Sequence, residues 1–572
     1  MHKKIVDSIV DSLNKATGEK LDSLDIKDSR VSDFSSSIAF KLAGEGGVNP
    51  GEKAQEIAGK LDVDAIYGIG RIEVLNGYVN FFLDYERLTP LLLDVIRKQG
   101  ESYGRGEDGK ERIILEHTSI NPSGPVHVGR LRNSLIGDSL ARILRFYGFD
   151  VETHYYVNDV GKQVAMIAQA SFEDVEPEGE VLDRYRKYMG KKDFKVFAEY
   201  VSANRLFEDD DGFKTRVQDL IKRAESGDAE ALEAMKKKAG DCLEGQMVLF
   251  DRLGIGFDVF DYESDLIRDG RVREVVDFLK GVEYAKESGA GLGLDLSGFG
   301  IEKRGGVSVL LRRDGTSVYL ARDVAYHLHK AGLGGRLVNV LGEDHKLEFR
   351  EVDTILGEIY GISKSLKAVH YSFVSFEGLE LSTRRGQTAP VDLLLDDAVG
   401  KAEHEITVRG VALRDVAPLI GVGAVKYHIL KAAPSKPINF SWSEALNFDG
   451  DSAPYIQYAH ARCCSILEKS GLRLEDAGLD GLRGLDELEE KLVFMLLCFP
   501  DVVEKAAVGY KPNLVSSFIY ELASVFSRFY RECPVLNAED DIRLRRLLLV
   551  DAVRQVLCSG LFLLGIEAPV RM

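Results

Sequence analysis

Apolar positions along this chain change their period, and the changes divide it. From residue 1 to about 100, helical spacing and the glycine-rich AGEGGVNPGEKAQEIAGKL lead into the alternation of RIEVLNGYVNFFL. That alternation predicts two paired strands turning at Asn76-Gly77, followed by a helix from about Tyr85 to Gln99. The polar GESYGRGEDGKE reads as a linker. From Arg112 to about 400, short apolar runs alternate with helical ones, the rhythm of a parallel α/β domain. Between about 165 and 260, long charged helical patterns such as DAEALEAMKKKAGDCLEGQMVLFDRLG interrupt it. This predicts a helical insertion whose acidic run, Glu208 to Asp211, is a solvated face. The rhythm resumes with VSVLLRR, RLVNVLGED and AVHYSFVSF, and after about 405 the pattern is almost wholly helical. No internal repeat is visible.

Length agrees with this division, since 572 residues exceed what one hydrophobic core supports. The expected architecture is multidomain α/β. A small α+β domain spans 1–100, and a Rossmann-type parallel-sheet domain spans 101–405 with its insertion. A connecting helical segment covers 406–445, and a helix bundle covers 446–572. Net charge is −18, which argues against a protein that grips nucleic acid over its whole surface. Local patches remain open, because Lys511 to Met572 holds 8 Lys and Arg against 7 Asp and Glu. The six cysteines, at 242, 463, 464, 498, 533 and 558, form no C-x-x-C pair, so neither a zinc site nor a disulfide framework is expected. The N-terminus lacks a signal-peptide core, and no apolar stretch reaches the roughly 18 residues of a membrane span. A cytoplasmic protein without membrane or DNA partners is the expectation, with no protein-bound metal.

The candidate chemistry lies at two strand ends. After the apolar Ile113-Ile114-Leu115, the loop EHTSINPSGPVHVGR runs into a helix marked by Leu131, Leu135, Ile136, Leu140, Ile143 and Leu144. A strand, a glycine loop and a helix in that order aim backbone N–H groups and the positive end of a helix dipole at one point, which suits a phosphate. Gly129 lets the backbone approach, and His127 adds a donor. Alone, a histidine before a helix is more often a cap. Leu341-Gly342-Glu343-Asp344-His345 closes a second apolar run, at the edge where open α/β sheets bind ligands. Farther on, Ser382-Thr383-Arg384-Arg385-Gly386 forms a cationic loop able to hold polyphosphate. Each has an ordinary alternative as a cap or a solvated pair; their order does not.

Taken together, HVGR with its flanks, GED, LSTRRG, YYVNDVGKQ, DGTSVYLARDVAYHLHK and DSAPYIQYAHAR resemble the class I aminoacyl-tRNA synthetases, and within them arginyl-tRNA synthetases of the archaeal kind. The resemblance covers nearly the whole chain, including a terminal element resembling DALR at Asp551-Ala552-Val553-Arg554. It implies attachment of L-arginine to tRNA(Arg) through an arginyl-adenylate, with ATP and its bound Mg2+ as substrate, by a monomer. By resemblance, His127, Gly129, Arg130, Ser382, Arg384 and Arg385 act in catalysis. Gly342 and Asp344 join His127, Gly129 and Arg385 at ATP, and Glu116, Asn121, Tyr319 and Asp323 hold arginine.

The N-terminal domain is implied to touch the D-loop side of tRNA through Asn80 and Phe81. The bundle is implied to take the anticodon through Tyr455, Gln457, Arg528, Tyr530, Arg531 and Arg543, with Arg545 and Arg546 as further cations. Departures from the family pattern are Arg130 in place of the signature's second histidine, and Glu380 in place of the loop's first lysine. Gly124 stands where some relatives carry a compensating lysine. The missing lysine motivates one alternative, a tRNA-binding paralogue that has lost activation. A small-molecule nucleotidyltransferase is disfavoured by the helical C-terminus, and a cysteinyl enzyme by the lack of zinc-ligand cysteines.

Overall fold

The computed structural model describes residues 1–29, 31–303, 305–362, 366–376, 389–409, 414–474, 477–479 and 482–572. Helix α1 (His2–Thr17) opens the first domain, followed by strands β1 (Ile26–Asp28) and β2 (Phe34–Ser36), helices α2 (Ile38–Gly46) and α3 (Pro50–Ala58), strands β3 (Ile69–Leu75) and β4 (Tyr78–Leu83), and helix α4 (Tyr85–Gln99). The four strands form an antiparallel sheet in the order β1-β2-β4-β3. Asn76 and Gly77 both take positive φ, 50° and 82°, as a tight hairpin turn between β3 and β4 requires. Strands β1 and β2 are three residues each, too short to stand out as alternation among polar neighbours.

The second domain begins with β5 (Lys110–Glu116), α5 (Val128–Phe146) and β6 (Phe149–Val157). Helices α6 (Lys162–Phe172), α7 (Gly179–Arg184), α8 (Lys192–Asp209), α9 (Asp211–Glu225) and α10 (Ala229–Arg252) then intervene before β7 (Val259–Tyr262), α11 (Glu263–Arg268) and α12 (Arg271–Lys280). Strands β8 (Ala285–Ser288), β9 (Gly291–Leu294) and β10 (Ser308–Arg312) precede α13 (Tyr319–Gly332), β11 (Arg336–Gly342), α14 (Lys346–Thr354) and β12 (Leu366–Tyr371). The main sheet is parallel, ordered β12-β11-β5-β6-β7. Chain progress runs one way from β5 through β6 to β7 and then returns to the other side of β5 at β11. The crevice between β5 and β11 is therefore the topological switch point.

One element departs from the expected rhythm. The run VSVLLRR does not join the parallel sheet; β10 pairs antiparallel with β9, and β9 with β8, in a separate three-stranded sheet. A short apolar run cannot by itself disclose which sheet it enters.

Strand β13 (Val374–Phe376), helices α15 (Val391–Val408) and α16 (Ala417–Leu430), strand β14 (Ile438–Phe440) and helix α17 (Trp442–Ala445) connect to the bundle. β14 pairs in parallel with β13, in a region read as almost wholly helical. The bundle consists of α18 (Ala453–Ser470), α19 (Glu487–Gly509), α20 (Pro512–Glu532) and α21 (Asp540–Leu563). A capping box between Asp486 and Glu489 starts α19. Among the described residues no helix is long and apolar enough to cross a membrane.

Candidate active site

The phosphate end of the site is set by α5. His127 is its N-cap, and its Nδ1 accepts from the Gly129 N–H at 2.9 Å. That commits the proton of the neutral ring to Nε2, leaving an outward-facing donor. Burial, then Arg130, holds the His127 pKa below the usual histidine value, so the ring is neutral at pH 7. Arg130 is exposed in the first helical turn and makes no ion pair among the described residues. The segment following the cationic loop is fastened here: Val128 N–H donates to Ala389 O at 3.1 Å, and Val391 N–H to Val126 O at 2.8 Å. The cationic loop itself, with Glu380, Ser382, Arg384 and Arg385, lies outside the described residues. Gly124 has a physical reason to be glycine, because a Cβ there would stand 2.8 Å from the Phe197 ring of α8. A lysine is thus shut out of that position.

Gly342 ends β11 next to β5, and Asp344 lies exposed in the following turn. A Cβ on Gly342 would meet the Asp344 carboxylate at 2.2 Å, so a larger residue there would have to turn that carboxylate away. The two strand ends expected to share a nucleotide therefore flank the switch point.

Deeper in the crevice lies a polar network around two of the residues expected to hold arginine, Glu116 and Asp323. Glu116, expected to line the arginine pocket, is buried and accepts from the Lys330 ammonium, from Asn339 Nδ2 at 2.8 Å and from Ser119 Oγ at 3.2 Å. Asn339 stands opposite Glu116 in the β11–β5 register, which explains the contact. Burial pushes the Glu116 carboxyl up, but Lys330, His327 and Ser119 together outweigh it and hold it below the usual range. His327 donates from Nδ1 to the Asp323 carbonyl at 2.8 Å and accepts at Nε2 from Asn339 at 2.9 Å. Burial, then Lys330, pushes its pKa down to about 3, so it is neutral.

Asp323 differs from Glu116. Its carboxylate has no hydrogen-bond partner among the described residues, and burial, then Glu116 and Glu263, push its pKa up to about 7 against Lys330 and Arg322. Tyr319, one turn earlier on α13, is 56% exposed at the mouth. Asn121 is exposed on the β5–α5 loop and donates to Gln163 of α6 at 3.1 Å. Glu263 escaped the sequence reading. It is fully buried at the start of α11, takes Arg322 on Oε1 at 2.9 Å, and keeps Oε2 without a partner among the described residues. The Tyr156 hydroxyl is likewise buried and unpaired among the described residues. A cavity of about 400 Å3 adjoins Tyr319 and Arg322.

The surfaces expected to meet tRNA need correction. Phe81 is fully buried and Asn80 nearly so, accepting from Ser32 Oγ at 3.2 Å, because β4 is an inner strand. The exposed rings at that hairpin are Tyr78 and Phe40, 4.9 Å apart. In the bundle, Gln457 is fully buried and donates to Leu419 O and Glu567 O, fixing the C-terminal tail. Arg545 and Arg546 are tied to Glu489 at 2.8 and 2.9 Å. Arg543 pairs with Asp540 at 2.7 Å, away from the main groove. Tyr455, Arg528, Tyr530 and Arg531 do come together, in a groove of about 900 Å3. Arg409, Arg462 and Lys491 line it too, with Asp449 the one acidic side chain among the described residues. The Arg462 guanidinium sits 4.5 Å from both the Tyr458 and Tyr530 rings.

Three family models match in register with these parts: the arginyl tRNA synthetase N terminal domain over residues 3–83, the class I (R) tRNA synthetase catalytic domain over 93–442, and the DALR anticodon binding domain over 456–572. The chain belongs to the arginyl-tRNA synthetases. The arginine--tRNA ligase of Methanocaldococcus jannaschii is 39% identical over 550 residues, covering 95% of this chain and 94% of that protein. That of Methanothermobacter thermautotrophicus is 40% identical, with the same coverage of each. The solved arginyl-tRNA synthetase of Thermus thermophilus superposes with a TM-score of 0.80 at 25% identity, over 99% of this chain and all of the other. The α/β core, N-terminal domain and helical C-terminal domain are thus those of a class I synthetase.

Proposed function

We propose that this synthetase charges tRNA(Arg) by building arginyl-adenylate at the β5/β11 switch point, with the side chains divided as follows. Arginine is attached to tRNA in two steps. Its carboxylate attacks the α-phosphate of ATP, which arrives with Mg2+, and pyrophosphate leaves. A ribose hydroxyl of the terminal tRNA adenosine then attacks the carbonyl, and AMP leaves. Charge gathering on the α-phosphate is met by His127 Nε2–H and by Arg130, with Gly129 letting the phosphate approach the start of α5. Gly342 and Asp344 serve the ribose.

The guanidinium enters between Asp323 and the free oxygen of Glu263, with Tyr319 over the mouth, Glu116 at the end of β5 and Asn121 on the loop that follows it. The observation that carries this is Asp323: a half-buried carboxylate without a hydrogen-bond partner among the described residues, its pKa pushed up to about 7, is a site awaiting a cation. The groove between α16, α18 and α20 supports anticodon binding, since five cations and the rings of Tyr455, Tyr458 and Tyr530 suit splayed bases. At the D-loop side, Tyr78 and Phe40 replace Phe81 as the available rings. The alternative of a paralogue without amino-acid activation finds no support in the relatives, which are ligases over nearly their whole length.

The test is a pyrophosphate-exchange assay across the twenty amino acids, with and without tRNA, on wild type and Asp323→Asn. Exchange specific to arginine is expected. The substitution should raise the arginine KM by roughly ten- to a hundredfold, the loss of a charge-assisted hydrogen bond worth about 1.5 to 3 kcal/mol, while the ATP KM stays nearly constant. An unchanged arginine KM sinks the pocket assignment.

A further inference from the structure

We infer that Lys330 is a positioning residue for arginine selection: a resident cation that occupies Glu116 and leaves Asp323 as the carboxylate open to the substrate's guanidinium. The inference rests on the pocket reading above and adds a residue to it. Lys330 lies in the last turn of α13, where a lysine ordinarily faces water, yet it is fully buried. Its ammonium donates to Glu116 of β5, lies 3.5 Å from Asn339 Oδ1 of β11, and stands 4.2 Å from the Tyr326 ring. A lysine is not buried this completely unless its charge is met, and Glu116 meets it.

The consequence is a division of labour between two acids. With Oε2 shared by Lys330 and Asn339, Glu116 can neither swing toward Asp323 nor gather the substrate cation alone; only Oε1, shared with Ser119, faces the loop bearing Asn121. Asp323, carried on the same helix as Lys330, has no such partner. An amino acid with a neutral side chain leaves the half-buried Asp323 unpaired, which penalises it. Without Lys330, two adjacent acids compete for one cation, and both resist ionisation. Groups facing this pair from the surrounding elements are His154 of β6, Glu263 of α11, and His327, His329 and Arg322 of α13.

Lys330→Met, Glu116→Gln and the double substitution test this, with arginine and ATP KM read by exchange between pH 6 and 9. Lys330→Met is expected to raise the arginine KM at least tenfold at pH 7. It should also move the pH below which KM climbs by about one unit in the alkaline direction, with the ATP KM within about twofold of wild type. The double variant should show no more loss than the worse single one, because the two side chains act as a unit. An arginine KM and pH profile unaltered by Lys330→Met overturn the inference, as does a double variant whose loss is the product of the singles. If Lys330→Met does not fold, the neutralised pair in the double variant carries the test, and its profile must match that of Glu116→Gln alone. Failure of Asp323→Asn to affect arginine overturns the pocket instead, so the two failures are distinguishable.

Discussion

Asp323 is under opposing demands, and they give its pocket a pH dependence of definite sign. In the empty enzyme, burial, then Glu116 and Glu263, push the carboxyl up to about 7, whereas a bound guanidinium favours the ionised form. Below pH 7, then, arginine must displace a proton, and its apparent affinity falls by up to about tenfold per pH unit. For stability the direction is opposite. A raised acid is held protonated by the empty folded chain, so its contribution is fully present below the ordinary carboxylate pKa and is lost as pH rises through 7. The expected result is an arginine KM several-fold higher at pH 6 than at pH 8, with ATP KM flat. Thermal protection by saturating arginine should be larger at pH 8. A flat arginine profile across that range contradicts the charge pairing.

At the scale of elements, α5 joins the two substrates. Its N-terminus holds His127 and Gly129, and its middle presses on the strand that bears Glu116, because a Cβ on Gly137 would come 2.2 Å from the ring of His117. His117 is buried, and burial drives its pKa down to about 3, so its neutral ring packs tightly there. Gly137→Ala is therefore expected to cost about 1 to 3 kcal/mol by overpacking and to lower the denaturation midpoint, while raising the arginine KM as Glu116 shifts. An unchanged midpoint and KM show that the helix can retreat without consequence. The strand–loop–helix of β5 and α5 was legible in sequence, since an apolar run, a glycine loop and helical spacing follow one another within forty residues. So was the β3–β4 hairpin, through Asn76-Gly77. The pairing of Lys330 with Glu116 was not, because the two lie 214 residues apart and a lysine near a helix end reads as solvated. Nor was Glu263, whose role depends on Arg322 taking one oxygen and leaving the other. Phe81 and Gln457 misled for the complementary reason: residue type suggested a contact, but strand order and the C-terminal tail bury them.

Across the whole molecule, one continuous piece of backbone touches both the anticodon groove and the catalytic domain. Met572 lines the groove, Pro569 O accepts from His460 at 3.0 Å, and Glu567 O accepts from Gln457 at 2.9 Å, both on α18. Gly565 O then meets the buried Lys426 of α16, which also donates to Leu253 O at the end of the helical insertion. Ser139 of α5 donates to Leu563 O at 2.9 Å. Ligand in the groove thus presses on a tail that is bonded to the helix capped by His127, the kind of shared element through which two sites bias each other. Pyrophosphate exchange is accordingly expected to be nearly absent without tRNA. Arg462→Ala, which removes the guanidinium held between Tyr458 and Tyr530, should weaken tRNA binding. It should also lower the slope of log affinity against log salt by about 0.7 to 0.9 if Arg462 meets a phosphate. Saturating tRNA should restore its exchange rate, whereas removal of Val570, Arg571 and Met572 should reduce the rate at saturation. Full exchange without tRNA, or a normal saturated rate after the truncation, defeats coupling through the tail.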